Sequence, residues 1–338
     1  MTAYDKVPPI PREFVYKRLH SLMGLWFLIF LVEHLFTNSQ IALFFGSDGF
    51  WFVNSVDWLR NIPYLQVVEV GLLGVPIFYH ACFGIYYAFS AKTNSRWSKG
   101  AKPSLKFGRN HAYTWQRISA WILLFGIIFH VVQMRIIDYP YKFSWGDKVR
   151  YYARLKVDSQ LYPVADRLNV KLYDQNAIDR EKDEYAKLGH KISLVEARKN
   201  ELTQEVREHK SGEVYNSEMD NVYQSLQKYE LLKEHIRGLE SRSLKDKQVI
   251  AVSQSFGALE LLNVREAFQG IAMCLFYTVF VLAAVFHGFN GLWTFLITWG
   301  LILSRQSQSS MKNFSLGLMF VFGCLGLMAI WGTFFLSF

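Results

Sequence analysis

The chain has 338 residues, 51% of hydrophobic type and 17% aromatic, with 19% charged and a formal net charge of +9. Its charges are uneven: long stretches hold almost none, while residues 140–250 are crowded with Lys, Arg, Glu and Asp, which excludes an ordinary soluble globular domain and describes a membrane protein with one polar insertion. The positive excess sits beside apolar runs, as at Arg12, Lys17, Arg18, Lys106, Arg109 and Arg117, so it reads as juxtamembrane charge and not as a nucleic-acid groove.

The N-terminal stretch MTAYDKVPPIPREF lacks a signal-peptide apolar core and a small-residue cleavage site, so the first apolar run is expected to remain as an anchor. A spanning helix needs about 20 mainly apolar residues. Five runs qualify: 20–44, 64–91, 114–136, 268–303 and 313–337. Lys and Arg concentrate in the N-terminal tail, the 92–113 loop and the 304–312 loop (SRQSQSSMK), whereas the 45–63 loop has only Arg60 against Asp48 and Asp57. By the positive-inside rule the N-terminus is cytoplasmic and the C-terminus outside.

Three segments follow: transmembrane helices 1–3 over 1–139, an insertion over 140–255, and helices 4–5 over 256–338. Within the insertion Leu188, Ile192, Val195 and Leu202, then Val222, Leu226, Tyr229, Leu232, Ile236 and Leu239, recur in steps of three and four. HKSGEVYN, with Gly212, is a turn signal between them. The expected fold is therefore an all-α membrane protein, a five-transmembrane-helix bundle with a helical-hairpin, coiled-coil insertion outside the membrane. His190, His209 and His235 in the insertion are expected to face solvent. Cys82, Cys274 and Cys324 lie far apart in apolar runs with no CxxC pair, which argues against a disulfide framework or a zinc site.

Four of the nine histidines, His34, His80, His130 and His287, fall one on each of the first four spans. An imidazole in hydrocarbon is costly without a partner, and imidazole is a common axial ligand of haem iron. Four on four helices fit two bis-histidine haems; the alternative is four unrelated interhelical hydrogen bonds. Counted from the outer helix ends at about 1.5 Å per residue, His34 and His130 are shallow and His80 and His287 deeper. This suggests an outer pair and an inner pair, although depths from the inner ends barely separate the four. Gly84 and Gly126 lie four residues from His80 and His130 on the same helix faces, leaving room either for a flat macrocycle or for close helix packing.

The segments VYKRLHSLMGLWFLIFLVEHLFTNS, IFYHACFGIYYAFSAKTNS, YTWQRISAWILLFGIIFHVVQMR and FHGFNGLWTFLITWG resemble the first four helices of the cytochrome b558 subunits of succinate:quinone oxidoreductases. These are the single-subunit, dihaem membrane anchors of succinate dehydrogenases and fumarate reductases. The resemblance covers about residues 10–140 and 245–338. It implies two haems b with axial ligands His34, His80, His130 and His287, paired first span with third and second with fourth. It also implies a flavoprotein subunit and an iron–sulfur subunit as partners, a membrane quinone (menaquinone) as electron acceptor, and no succinate site in this chain. A homo-oligomer of the complex stays open. The alternatives are the same parts run in reverse as a fumarate reductase, a cytochrome b anchoring another dehydrogenase such as a hydrogenase, or a haem-free scaffold.

Buried propionates need cationic or hydrogen-bonding partners. Arg117, Trp115, Ser21 and His20 are candidates near the inner haem and Arg135 near the outer one, with interfacial snorkelling as the arginines' other reading. Asp57, 23 residues after His34, matches the carboxylate that some family members place between the first two helices for proton delivery to quinone; its other reading is an ordinary loop aspartate. The glutamate that some fumarate reductases carry two residues before the fourth ligand is Val285 here. Glu33 reads as a carboxylate hydrogen-bonded inside the bundle.

Overall fold

The computed structural model describes residues 10–42, 49–90, 108–145, 148–207 and 213–336. Most of the basic 92–113 loop, the Gly212 turn and His209 lie outside these. In chain order the elements begin with α1 (Arg12–Ser39), α2 (Phe50–Arg60), α3 (Leu65–Glu69), α4 (Val75–Ser90) and α5 (Gly108–Val132). Next come β1 (Tyr141–Trp145), β2 (Lys148–Lys156), α6 (Leu161–Arg167), β3 (Lys171–Tyr173), α7 (Gln175–Arg207), α8 (Glu213–Leu239) and β4 (Gln248–Ser253). The chain continues through α9 (Phe256–Ala267), α10 (Ile271–Thr298), α11 (Arg305–Leu327) and α12 (Thr333–Leu336). Single π-helical turns join α3 to α4 at Val70–Gly74 and α11 to α12 at Met328–Gly332. Two compact units result, residues 1–132 with 268–338, and residues 133–267.

The first unit is helical. Five helices are long and apolar enough to cross a membrane: Arg12–Ser39, Leu65–Ser90, Asn110–Ile137, Ile271–Thr298 and Arg305–Phe335. Their outward faces carry large apolar side chains such as Trp26, Ile29, Phe36, Phe125, Leu275 and Phe320. So broad an apolar surface is stable in lipid and not in water. The fifth span differs from the expected boundary. Residues 305–312, read as loop, are its first turns, because the Ser304 side chain caps the helix by accepting from the Ser307 amide at 3.0 Å. The 45–63 connection likewise contains the helix α2.

Helices α1 and α10 are central. α10 packs on α1, α5 and α11, and α1 also on α4 and α11. Close approach comes from missing side chains: a Cβ at Gly288 would meet Leu28 at 2.9 Å, and one at Gly326 would meet Val281.

The second unit adds to the helical architecture an element that the sequence reading did not expect. It contains a four-stranded antiparallel sheet of order β1-β2-β4-β3. Strand β4 is apolar on both faces, with Val249, Ile250, Ala251 and Val252 all buried. Tyr152, Ile250 and Val252 pack with Ile178, Ile236 and Leu239 of the long helices. On the other face Tyr151 meets Phe256 of α9, ring centroids 5.3 Å apart. The expected helical pair is present as α7 and α8, joined by the Tyr185–Tyr229 stack and by Lys182–Glu240 and Arg198–Glu218 ion pairs that fix an antiparallel arrangement.

His235 is not solvent-facing. It is 2% exposed, and its Nδ1 lies 2.9 Å from the Tyr152 hydroxyl. Burial, with help from Arg150 and Lys171, pulls its pKa from 6.5 down to about 4. The unfolded chain therefore binds the extra proton first as pH falls. His235 leaves the second unit fully stable above pH 6.5 and costs it up to about 3 kcal/mol as pH drops toward 4. Hydrogen exchange of the β4 amides should accelerate across that window, and His235→Gln should flatten the dependence.

Candidate functional site

Helical rise places the polar residues of the first unit at two levels. His20 and His34 are 14 residues apart on α1, nearly four whole turns and about 21 Å along one face. Ser119 and His130 are three turns apart on α5, and Tyr277 and His287 about as far apart on α10. These two helices run in opposite directions, so Ser119 meets His287 and His130 meets Tyr277.

At one level His34 and His130 face each other, with ring centroids 5.8 Å apart and planes at 79°. At the other, His80 and His287 do the same at 6.2 Å and 79°. Metal–imidazole bonds of about 2 Å put two rings that share one metal roughly 6 Å apart between centroids. Both pairs fit that span.

The second ring nitrogens carry further information. His80 Nδ1 is 2.9 Å from the His20 carbonyl, His287 Nδ1 is 3.2 Å from Ser119 Oγ, and His130 Nδ1 is 3.1 Å from the Tyr277 hydroxyl. His34 Nδ1 lies 3.5 Å from the Asn38 amide, a long contact. The hydrogen bonds of His80, His130 and His287 thus engage Nδ1 and leave Nε2 for a ligand, as in metal-binding histidines oriented through their other nitrogen, whereas the Asn38 amide nitrogen is itself a donor and gives His34 no such acceptor. Among the described residues no cluster of three or more His, Cys, Asp or Glu could hold a bare metal ion. Two imidazoles suffice only where a macrocycle supplies the remaining donors, so the donor set fits haem.

Around His80 the bundle holds unsatisfied polar atoms. His20 stacks on His80 at 4.0 Å and meets Tyr87 at 5.6 Å. Among the described residues His20 Nδ1, the Tyr79 and Tyr87 hydroxyls and Arg117 Nη1 are buried without a hydrogen-bond partner, while the other arm of Arg117 donates to the Ala88 carbonyl. Buried donors left open cost about 1–3 kcal/mol each. A carboxylate-bearing group satisfies such a set, as a haem propionate would.

The remaining expected residues divide. Ser21 Oγ donates to the Arg18 carbonyl at 2.9 Å and accepts from Trp299 Nε1 at 3.0 Å, tying α1 to the end of α10. Trp115 does not join the cluster around His80; it is turned outward, 57% exposed, because it lies about 200° around the helix from Arg117. Arg135 belongs to the second unit, its guanidinium 4.7 Å from the Tyr139 ring centroid. Asp57 is half-buried on helix α2, not in a loop. Glu33 is exposed and accepts from Thr37 at 2.8 Å, so it is not a bundle-interior carboxylate. The two glycines differ: a Cβ on Gly84 would make only an ordinary 3.6 Å contact with His20, whereas one on Gly126 would fall on the Phe280 ring.

Several polar partners escaped the sequence reading. Gln116 donates to the His287 carbonyl at 3.1 Å and accepts from Asn290 at 2.7 Å, and Asn290 accepts from Trp293 at 2.9 Å. A signal existed for Ser119, a polar residue three turns from His130 on the same face of an apolar helix.

No family model and no solved structure matches the chain. Over 126 residues, 37% of its length, it is 32% identical to a protein of Bacillus subtilis (strain 168) described as succinate dehydrogenase cytochrome b558 subunit. The match spans 57% of that relative's length. Over that stretch the chain is similar to a succinate dehydrogenase cytochrome b558 subunit.

Proposed function

We propose that this chain is the dihaem cytochrome b membrane anchor of a succinate:quinone oxidoreductase. The observation that carries the reading is the two interhelical histidine pairs, each spaced for one metal, with three of the four rings oriented through Nδ1. His34 and His130 would hold one haem b, His80 and His287 the other. Bound haem supplies one-electron redox chemistry between an iron–sulfur partner and a membrane quinone, menaquinone by resemblance. The residues of this chain contribute the axial nitrogens, a low-dielectric surround and the donors near the inner pair. Arg117, with its buried open Nη1, is the residue to hold an inner propionate.

The flavoprotein and iron–sulfur partners, the bacterial cytoplasmic membrane, the inside N-terminus and the outside insertion belong to the same reading. So does Asp57 as proton donor to quinone. Asp57→Asn is then expected to slow quinone reduction while both haems stay in place, a combination that steady-state assay and absorbance spectra check together. The whole reading is tested by purifying the complex and measuring haem b per chain. Two haems with separable midpoints are expected; a haem-free chain overturns it.

A further inference from the structure

We propose that Tyr277 and Ser119 are positioning residues that set the two haem potentials apart, Tyr277 acting on the outer pair through His130 and Ser119 on the inner pair through His287. The inference rests on the dihaem reading. It concerns which groups outside the ligand set tune each site.

The argument starts from the proton on Nδ1. A histidine that gives Nε2 to iron keeps its proton on Nδ1 and must donate it. In an apolar bundle that donor costs free energy if left open. A good acceptor makes the ring a stronger base, and a stronger base favours the oxidised metal. The quality of each Nδ1 acceptor is therefore a lever on potential.

The two levels differ in that acceptor. At the inner pair His80 has a backbone carbonyl at 2.9 Å. His287 has Ser119 Oγ at 3.2 Å, and that hydroxyl gives its own proton to the Gln116 carbonyl at 3.1 Å, so its oxygen is held as an acceptor. Both inner rings thus have oriented acceptors. At the outer pair, among the described residues, His34 Nδ1 has only the long 3.5 Å contact to Asn38, whose amide nitrogen already donates to the His34 carbonyl at 2.8 Å. The outer pair consequently relies on His130 and the Tyr277 hydroxyl at 3.1 Å.

Tyr277 is built to hold that position. It is 5% exposed, and its ring is packed by Phe268 at 5.2 Å, Phe276 at 5.3 Å and Phe280 at 6.0 Å. A phenylalanine keeps this packing and removes only the oxygen. Ser119 is 4% exposed on α5, and alanine is a good helix residue there.

The experiment is a redox titration of haem absorbance in the intact complex carrying Tyr277→Phe or Ser119→Ala. Tyr277→Phe is expected to shift one component toward the reduced form by up to about tenfold in its equilibrium ratio, which is about 59 mV for a one-electron couple. The shifted component should be the one that His34→Ala removes. Ser119→Ala should move the other in the same sense, and by less, because His80 keeps its carbonyl. The unshifted component in each variant serves as the folding control. Equal shifts of both components in one variant, no shift in either variant, or a shift assigned to the opposite pair overturns the proposal. Wild-type complex with fewer than two b-type components overturns the dihaem reading itself, and the proposal with it.

Discussion

On the proposed dihaem reading, His34→Ala is expected to abolish one of two haem b absorbance components completely and to leave the other with its wild-type midpoint. His34 of α1 faces His130 of α5 at 5.8 Å, and the second pair, His80 and His287, stands on two other helices, α4 and α10. About 21 Å of α1 separates His34 from His20, which stacks on His80, so the loss should not propagate down the bundle. Alanine leaves His130 with its Tyr277 hydrogen bond but no partner across the metal position. His130→Ala should remove the same component, and His80→Ala or His287→Ala the other. Four single variants thus sort into two classes by spectrum. A variant set in which one substitution removes both components, or in which His34 and His80 fall in the same class, would contradict the pairing.

That pairing was partly legible without a structure. One histidine on each of four apolar runs is conspicuous because hydrocarbon penalises an unpartnered imidazole. Outer-end depth suggested the same two pairs that the bundle brings together. The partners of the Nδ1 atoms were not legible. Ser119 and Tyr277 are ordinary residues for a membrane helix, and only the opposed run of α5 and α10 shows that each lies opposite a histidine. Trp115 failed for a geometric reason, since neighbours two apart on a helix point to nearly opposite sides.

The insertion was legible in its helices and not in its sheet. Leu202, Val222, Leu232, Ile236 and Leu239 are buried where their three- and four-residue steps place them. Strand β4, by contrast, is a short continuous apolar run covered on both faces, and periodicity cannot separate such a run from a helix. His235 followed from the same omission. Without the sheet there is no Tyr152 for it to pair with, and a histidine on a charged helix reads as solvated.

Asp158→Asn is expected to destabilise the second unit by about 3–5 kcal/mol. Arg265 is 5% exposed and grips Asp158 through two parallel bonds, Nη1 to Oδ2 at 2.7 Å and Nη2 to Oδ1 at 2.6 Å. Asparagine keeps the shape, and its carbonyl can still accept the Gln160 amide bond that Asp158 holds at 2.9 Å. It removes the negative charge, however, and replaces one acceptor oxygen with a donor facing a guanidinium. Breaking one partner of a buried pair leaves the other charge to bear its desolvation cost. Replacing both partners by apolar residues should cost less than the sum of the single losses, which a double-mutant cycle measures. The readout is hydrogen exchange of the β2 and β4 amides in the intact chain, expected to quicken by on the order of 10²–10⁴-fold where exchange follows opening of the unit. All four paired histidines belong to the other unit, so haem content should be unchanged in the same sample. Faster exchange with both haems retained would show that the sheet-bearing unit is held by its own core; loss of haem together with the sheet would show that the two fold as one.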